Sequence, residues 1–315
     1  MAAEGSTKAV VTALVANLGI AVTKFVAFAL TGSSSMLAEA IHSVADSSNQ
    51  ALLLVGGKRA QRRATSEHPF GYGRERYIYA FIVSIVLFSV GGLFALYEAW
   101  HKISDPHAIT EWHWVPIVVL LVAIALESVA LRTAVKESNA VRGSAGWVQF
   151  VRRSKSPELP VILLEDTGAL AGLVFALAGV GLALATGNGV WDGIGTAAIG
   201  VLLVTIAIVL ATEVKSLLIG ESASEEHVRA IERAIVAGDG VDAVIHMRTM
   251  HLGPDELLVA AKIAIDREDS AIEVAHAING AEARIRAAVP IARLIYIEPD
   301  ILRCERPARV VGGDQ

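Results

Sequence analysis

The pattern of apolar and polar positions divides the chain into two parts. The first part contains six long apolar stretches, at about residues 10–30, 36–56, 78–96, 115–131, 161–185 and 194–218. A helix needs about 20 apolar residues to cross a bilayer, so this pattern predicts six transmembrane helices. The first stretch is too long for a cleavable signal peptide and has no clear cleavage site, so we expect it to remain as the first helix.

From about Gly220 the apolar positions recur in shorter elements. The pattern predicts a helix over 225–236 capped by Ser222 or Ser224, strands over 241–250 and 256–265, a helix over 270–287 and a strand over 291–297. The order α-β-β-α-β is typical of a small α+β domain of the ferredoxin-like kind. We therefore assign 1–219 to a transmembrane domain, 220–300 to the α+β domain and 301–315 to a disordered tail.

Composition and charge agree with a membrane protein and predict its orientation. Hydrophobic residues make up 54% of the 315, against about 45–50% in soluble domains. The basic residues of the first part concentrate in the connections after the second and fourth stretches, and the positive-inside rule places both connections in the cytoplasm. Both termini are then cytoplasmic, and we expect a multi-pass protein of the cell (inner) membrane. The connections hold Lys58, Arg59, Arg62, Arg63, Arg74 and Arg76, and Arg132, Lys136, Arg142, Arg152, Arg153 and Lys155.

Several function classes are excluded by what the sequence lacks. The single cysteine, Cys304, excludes an intrachain disulfide and a cysteine-rich zinc site. We find no phosphate-binding glycine loop, nucleophile elbow or HExxH pair, and no long basic tract suited to nucleic acid. The chain is therefore predicted to be neither an enzyme nor an ATP-driven pump, and to carry no cofactor. A secondary transporter or a channel fits better.

Ionisable residues inside two of the apolar stretches provide the candidate chemistry. His42 and Asp46 lie four residues apart in the second stretch, so on a helix they share one face. Glu165 and Asp166 lie about one turn into the fifth stretch, followed by the small-residue pair Gly168 and Gly172.

A charged side chain at membrane depth costs about 2.5–3.5 kcal/mol on insertion scales, so such residues are usually functional. We expect the glycines to bring the fifth helix against the second. His42, Asp46 and Asp166 would then bind one divalent ion, with Glu165 as a further ligand. This mixture of imidazole and carboxylate suits Zn²⁺ better than Mg²⁺ or Ca²⁺.

Four segments make the chain resemble the cation diffusion facilitator family. They are the run Gly-Ser-Ser-Ser-Met-Leu-Ala-Glu-Ala-Ile-His-Ser-Val-Ala-Asp at 32–46, His-Pro-Phe-Gly-Tyr-Gly-Arg-Glu-Arg at 68–76, the sixth stretch from Trp191 to the closing Leu-Leu-Ile-Gly-Glu at 217–221, and Met-Arg-Thr-Met-His-Leu-Gly-Pro at 247–254. The resemblance implies a homodimeric metal–proton antiporter that exports Zn²⁺ or a related cation by alternating access. The Leu-Leu-Glu-Asp run at 163–166 is similar to the branch that includes the mitochondrial-type zinc transporter nine.

The chain also departs from the pattern of this family. Zinc transporters of the family usually carry a second polar residue four positions before Asp166, where this chain has Ile162. Glu165 is either the substitute ligand or an interfacial carboxylate near the cytoplasmic end of its helix, and Mn²⁺, Co²⁺ or Fe²⁺ is the alternative main substrate. A transport-inactive partner subunit remains the alternative function. In the α+β domain, His246, His251, His276 and Glu298 are candidate metal ligands, and only His276 and Glu298 match positions that the family uses.

Other polar residues have more than one interpretation. Glu127 in the fourth stretch is a proton relay, a partner of Lys24, or a helix-packing residue. His107, Glu111 and His113 are interpreted as solvated loop residues rather than ligands. His68 is expected to anchor its loop, and Tyr72 replaces a histidine there, so we expect no peripheral metal site. The basic connections mainly determine topology and contact anionic lipid headgroups.

Overall fold

The computed structural model describes residues 2–31, 34–106 and 114–302, without the side chains of 2–9, 34–42 and a few others in α1, α2 and α5. The chain forms two compact units, Met1–Ile219 and Gly220–Gln315. Residues 303–315 of the tail predicted at 301–315, and the loop residues His107, Glu111 and His113, lie outside the described residues.

The first unit is entirely helical over the residues described. Its helices are α1 (Ala2–Thr31), α2 (Ser34–Ala60), α3 (Glu75–Val86), α4 (Phe94–Ser104), α5 (Trp114–Arg142), α6 (Trp147–Arg153), α7 (Glu158–Thr186) and α8 (Val190–Ile219). A π-helical segment, η1 (Leu87–Leu93), joins α3 to α4 without a break. Gly187 ends α7 in the left-handed conformation, with φ at +68°, which glycine adopts without a steric penalty.

Within the described residues of this unit, four helices are long and apolar enough to cross a membrane: Glu75–Ser104, Pro116–Arg142, Glu158–Thr186 and Val190–Ile219. Helix α1 contains a shorter apolar segment, Val10–Val26. Large apolar side chains point outward along these helices, including Val15, Val22, Val129, Val201 and Ile208. An outer surface of this kind is suited to lipid, and the chain is an integral membrane protein.

The apolar core of the first unit lies between α3, α7 and α8. Its buried side chains include Tyr77, Val83, Leu203 and Leu210. Ile162 is fully buried in the same core. The position at which the sequence lacks a ligand is therefore occupied by a packing residue.

The second unit is an α+β domain with one three-stranded sheet. Its elements are α9 (Glu225–Val236), β1 (Ala243–Gly253), β2 (Glu256–Ala264), α10 (Ala271–Ala288) and β3 (Ala292–Asp300). The strand order is β1-β2-β3; β1 and β2 are antiparallel, and β2 and β3 are parallel. The predicted α-β-β-α-β order and α+β class are confirmed.

Serine caps explain where the two helices of this domain begin. The Ser224 side chain accepts a hydrogen bond from the His227 amide at the start of α9, so Ser224 and not Ser222 is the cap. Ser270 and Glu273 form a reciprocal capping box at the start of α10. Both helices then bury their apolar faces against Leu257, Val259 and Ile263 of the sheet.

Candidate functional site

Several polar side chains near the middle of α2 are buried in the helical unit. Ser43 and Ser47 are buried, and Asn49 and Gln50 are almost completely inaccessible to solvent. Asp46 lies one turn before Gln50 on the same helix and is partly buried. The predicted partner of Asp46, His42, lies on α2, but its side chain is outside the described residues.

Helix α7 contributes two adjacent buried carboxyl groups. Glu165 is 4% exposed and Asp166 is 1% exposed. Both oxygens of Glu165 accept hydrogen bonds from α2: Asn49 Nδ2 lies 2.9 Å from Oε1, and Gln50 Nε2 lies 3.0 Å from Oε2. Asp166 Oδ2, in contrast, has no hydrogen-bond partner among the described residues. Both oxygens of Glu165 therefore accept hydrogen bonds, whereas one oxygen of Asp166 accepts none from the described residues.

Helices α1 and α5 complete the surroundings of these carboxyl groups. Glu127 of α5 and Lys24 of α1 are both buried and attract each other electrostatically. The carboxyl groups repel one another. Glu127 is close enough to repel Asp46 and Asp166, and Asp46 is close enough to repel Glu165 and Asp166. Four helices thus place carboxyl groups and one ammonium group in a common region. The attraction between Lys24 and Glu127 agrees with one of the three interpretations of Glu127, a partner of Lys24.

The described side chains do not by themselves form a closed metal site. No three His, Cys, Asp or Glu side chains within the described parts of the chain are grouped closely enough to hold one ion. Asp46 of α2 and Asp166 of α7 were predicted from the sequence to share an ion. Their carboxyl groups lie close enough to repel each other electrostatically. Asn49 and Gln50 bond to the neighbouring Glu165, and neither was identified from the sequence as part of the site.

The glycine pair of α7 makes a different contact from the one predicted. A Cβ atom at Gly168 would lie 2.5 Å from Ile206 Cδ1, and one at Gly172 would lie 3.5 Å from Ile199 Cγ2. Both isoleucines belong to α8, so the expectation that these glycines pack against α2 is wrong. The bulky apolar residues of α8 fill the space beside the glycines, and α2 approaches α7 through its long amide side chains instead.

In the α+β domain the candidate ligands are dispersed. His246 and His276 are exposed on β1 and α10, while His251 is buried, with Nδ1 3.2 Å from the Gly253 carbonyl oxygen. Glu298 lies 2.9 Å from the ammonium group of Lys262. Hydrogen bonds from Lys262 to Glu298 and Asp300 raise the pKa of Lys262 above its usual 10.5. A metal ion at Glu298 would have to compete with this ammonium group.

The loop after α2 is fixed by aromatic and ionic contacts. The rings of His68 and Tyr72 lie 4.7 Å apart, and the guanidinium of Arg62 lies 4.8 Å from the centre of the Tyr72 ring. Arg76 forms an ion pair of 3.3 Å with the buried Glu158 at the start of α7. These contacts agree with an anchoring role for His68 and connect the loop to the helix that carries Asp166.

Comparison with known proteins identifies related transporters. The family model described as the cation efflux transmembrane domain matches residues 10–219. The mitochondrial proton-coupled zinc antiporter SLC30A9 of Homo sapiens is 31% identical over 245 residues, which are 77% of this chain and 43% of that protein. Metal tolerance protein C4 of Arabidopsis thaliana is 28% identical over 262 residues, or 82% of this chain and 57% of that protein.

A third relative matches a shorter segment. The magnetosome protein MamB of Magnetospira sp. (strain QH-2) is 35% identical over 83 residues, which are 26% of this chain and 28% of that protein. The chain thus spans less than half of the human antiporter and somewhat more than half of the plant protein.

Proposed function

Because the chain belongs to the cation diffusion facilitator family of metal transporters, within its zinc transporter branch, we propose that it exports Zn²⁺ from the cytoplasm in exchange for protons. The observation that carries this proposal is the carboxyl group of Asp166, which is 1% exposed and lies close enough to the partly buried Asp46 of α2 for the two carboxyl groups to repel each other. Asp166 keeps an oxygen without a hydrogen-bond partner among the described residues. A buried carboxylate oxygen is costly unless it gains a partner, and a divalent cation is such a partner.

His42, Asp46 and Asp166 are the proposed direct ligands. One imidazole nitrogen and carboxylate oxygens suit Zn²⁺ and its transition-metal neighbours. Glu165 is the further ligand predicted from sequence, but it would first have to release Asn49 or Gln50, because both of its oxygens accept their hydrogen bonds. Ile162 cannot serve as the fourth ligand, because its side chain is apolar and packs in the core.

Proton exchange follows from the chemistry of these ligands. Imidazole and carboxylate bind metal in their deprotonated forms, so protons and metal compete for the same atoms. A site that opens to a more acidic exterior exchanges its ion for protons, and inward reopening returns the protons. Rocking of helix groups around a fixed midplane site is the usual route for such alternating access.

The proposed topology has six spans with both termini in the cytoplasm. Helices α1 and α2 are the two proposed spans in addition to the four named above. Although α2 is less apolar, its polar side chains Ser43, Ser47, Asn49 and Gln50 are buried, as expected for polar residues inside a transmembrane bundle. The exposed basic residues Lys58, Arg59, Arg62 and Arg63 support a cytoplasmic connection after α2.

Other features rest on the family resemblance. We expect location in the cell (inner) membrane, a ferredoxin-like arrangement in the α+β domain, and pairing of two copies as a homodimer. The dispersed ligands His246, His276 and Glu298 favour no metal site within a single α+β domain, so metal binding there would need side chains from a second copy. Light scattering of the purified protein measures whether two copies pair.

Transport in reconstituted vesicles tests the proposed function. Purified full-length protein is placed in liposomes with an internal Zn²⁺ indicator, and a pH gradient is imposed. We expect Zn²⁺ movement that collapses with the gradient and is lost in Asp46→Asn and Asp166→Asn. Asp192→Asn is the matched control, because Asp192 is also a carboxylate of a transmembrane helix but pairs with Lys102 at 2.9 Å.

Two outcomes would change the proposal. Zn²⁺ movement that survives Asp166→Asn would refute the assigned site. A folded parent protein that moves no Zn²⁺, Mn²⁺, Co²⁺ or Fe²⁺ would favour a transport-inactive partner subunit, the alternative that the core position of Ile162 supports. Preference for Mn²⁺, Co²⁺ or Fe²⁺ would retain the mechanism and change the main substrate.

A further inference from the structure

Asn49 and Gln50 form an amide clamp on Glu165. Two consecutive residues of α2 each donate a side-chain hydrogen bond, at 2.9 and 3.0 Å, to separate oxygens of one carboxylate on α7. All three side chains are almost completely buried, so water does not replace these hydrogen bonds. The carboxylate is held in one orientation by donors from a neighbouring helix.

The clamp continues into α1. Asn17 Nδ2 lies 3.3 Å from Gln50 Oε1, and Asn17 is also buried. A chain of side-chain hydrogen bonds therefore runs from α1 through α2 to α7. Because each amide of this chain has both a donor and an acceptor, the bond from Asn17 also fixes which atom Gln50 presents to Glu165.

The same arrangement leaves the neighbouring Asp166 with an oxygen that accepts no hydrogen bond from the described residues. Neighbouring helical residues point about 100° apart, so holding Glu165 on its amide donors directs Asp166 toward a different sector. Asp166 Oδ2 is buried and has no hydrogen-bond partner among the described residues. We infer that Asn49 and Gln50 are positioning residues that keep Glu165 out of the ligand shell of the metal, and thereby set which divalent ion the site prefers. This inference rests on the proposed function for the location of that site.

The selectivity follows from the number of oxygen ligands. A shell of one imidazole and two carboxylates suits tetrahedral Zn²⁺, whereas additional carboxylate oxygens favour Mn²⁺. For Glu165 to join the shell, at least one buried amide must lose its acceptor, which is unfavourable in a dry interior. While the clamp is intact, the shell therefore stays small and favours Zn²⁺.

The test compares Zn²⁺ and Mn²⁺ affinities, measured by calorimetry on the purified full chain in detergent. Asn49→Ala and Gln50→Ala each free one oxygen of Glu165, and we expect each to raise the affinity for Mn²⁺ relative to Zn²⁺ by about tenfold. Ser48→Ala is the matched control, because Ser48 lies beside them in α2 but is exposed and bonds to the Val44 carbonyl of its own helix. It is expected to leave the ratio unchanged.

A double variant separates the clamp from a general packing effect. In Asn49→Ala combined with Glu165→Gln, we expect the ratio of affinities to return to that of Glu165→Gln alone, because the oxygen that would be freed is no longer a carboxylate oxygen. Equal weakening of both ions in Asn49→Ala, or a shift that persists without the Glu165 carboxylate, overturns the inference.

Glu165→Gln alone provides a second measurement if the alanine variants do not fold. The amide of glutamine can accept from Asn49 and donate to Gln50 once Gln50 and Asn17 rotate their amides, so the hydrogen-bond chain survives in inverted form. We expect it to weaken Zn²⁺ binding by less than about fivefold, against about a hundredfold for Asp166→Asn. Equal losses in the two variants would make Glu165 a ligand and overturn the inference.

Binding and transport also separate this inference from the proposed function. A parent protein that binds Zn²⁺ in detergent but does not move it in vesicles refutes the transport function, while the affinity ratios still test the clamp. A folded parent that binds neither Zn²⁺ nor Mn²⁺ overturns both.

Discussion

The guanidinium of Arg76 lies 3.3 Å from the carboxylate of Glu158, with side chains that are 12% and 6% exposed. This ion pair joins the first turn of α3, which directly follows the loop after α2, to the first turn of α7. Glu158 is seven residues, or about two turns, before Glu165 on the same helix. The ion pair therefore holds the end of the loop that begins with His68, through the first turn of α3, against the helix that carries Asp166.

Removing Arg76 is expected to destabilise the start of α7. Arg76→Ala leaves the buried Glu158 with less compensation, and we expect a loss of about 3 kcal/mol in unfolding free energy. In a double-mutant cycle with Glu158→Ala, the coupling energy should be about 1–3 kcal/mol. Arg152→Ala is the control, because Arg152 is 72% exposed in its ion pair with Glu213 and should cost at most about 1 kcal/mol. Unfolding in detergent compares the parent, the two single variants, the double variant and the control, and additive losses in the cycle would contradict the prediction.

Neutralising Lys24 is expected to destabilise the metal-free protein. Lys24→Met keeps the length of the side chain but removes the ammonium group that attracts Glu127, at a cost of about 3 kcal/mol for the uncompensated buried carboxyl groups. Adding Glu127→Gln should recover part of this loss. Zn²⁺ should raise the thermal midpoint of Lys24→Met more than that of the parent, because the ion supplies the missing positive charge. Equal midpoint shifts would count against this explanation.

A methyl group at Gly195 should separate α7 from α8. A Cβ atom there would lie 2.9 Å from the Phe175 carbonyl oxygen and 3.2 Å from Gly179 Cα. Both are backbone atoms that cannot rotate away, so Gly195→Ala should cost about 1–3 kcal/mol. Gly181→Ala is the matched control on α7, since its Cβ would meet nothing within 4 Å and should gain up to about 1 kcal/mol. Thermal unfolding compares the two, and similar midpoints would show that the helices separate without cost.

The capping box of α10 should weaken in acid. Hydrogen bonds from the hydroxyl and then the amide of Ser270 lower the pKa of Glu273 below its usual 4.5. A lowered pKa in the folded state means that the contribution is present above the usual value and is lost as pH falls through the lowered value. Hydrogen exchange at the first turn of α10 should be slower in the parent than in Glu273→Ala at about pH 7, and the difference should shrink as the pH falls below the usual 4.5. A difference that persists at the lower pH would assign the protection to packing.

Local signals in the sequence predicted much of the fold. The bounds of α9 agree with the prediction because Ser224 is a helix cap and the apolar positions repeat with helical spacing. Strand β2 alternates buried and more accessible residues over most of its length, and the chain turns directly after Gly253, at Pro254 and Asp255, as the Gly-Pro signal predicted. Each of these features depends on residues within a few positions of one another.

Contacts between distant residues were not predictable in the same way. Asn49 and Glu165 are 116 positions apart, and nothing in either segment specifies the other as its partner. The face of Gly168 was predicted wrongly, because a small residue indicates close approach without indicating which helix approaches. The surface helix α6 also lacks a local signal, since it has only seven residues.

The π-helical segment η1 has a consequence for how chain length relates to helix orientation. A π-turn closes its hydrogen bond over one more residue than an α-turn, so Leu87–Leu93 holds surplus chain without adding a loop. Deleting one residue there would convert the segment to a regular α-helix, and the same sides of α3 and α4 would still face the core. The same deletion within α3 or α4 would rotate one helix against the other by about 100°. Gly92 would still have to face Val204, because a Cβ atom there would lie 2.6 Å from Val204 Cγ2. The segment is therefore the place along Glu75–Ser104 where related chains can differ in length by a single residue and retain the same lipid-facing and core-facing sides.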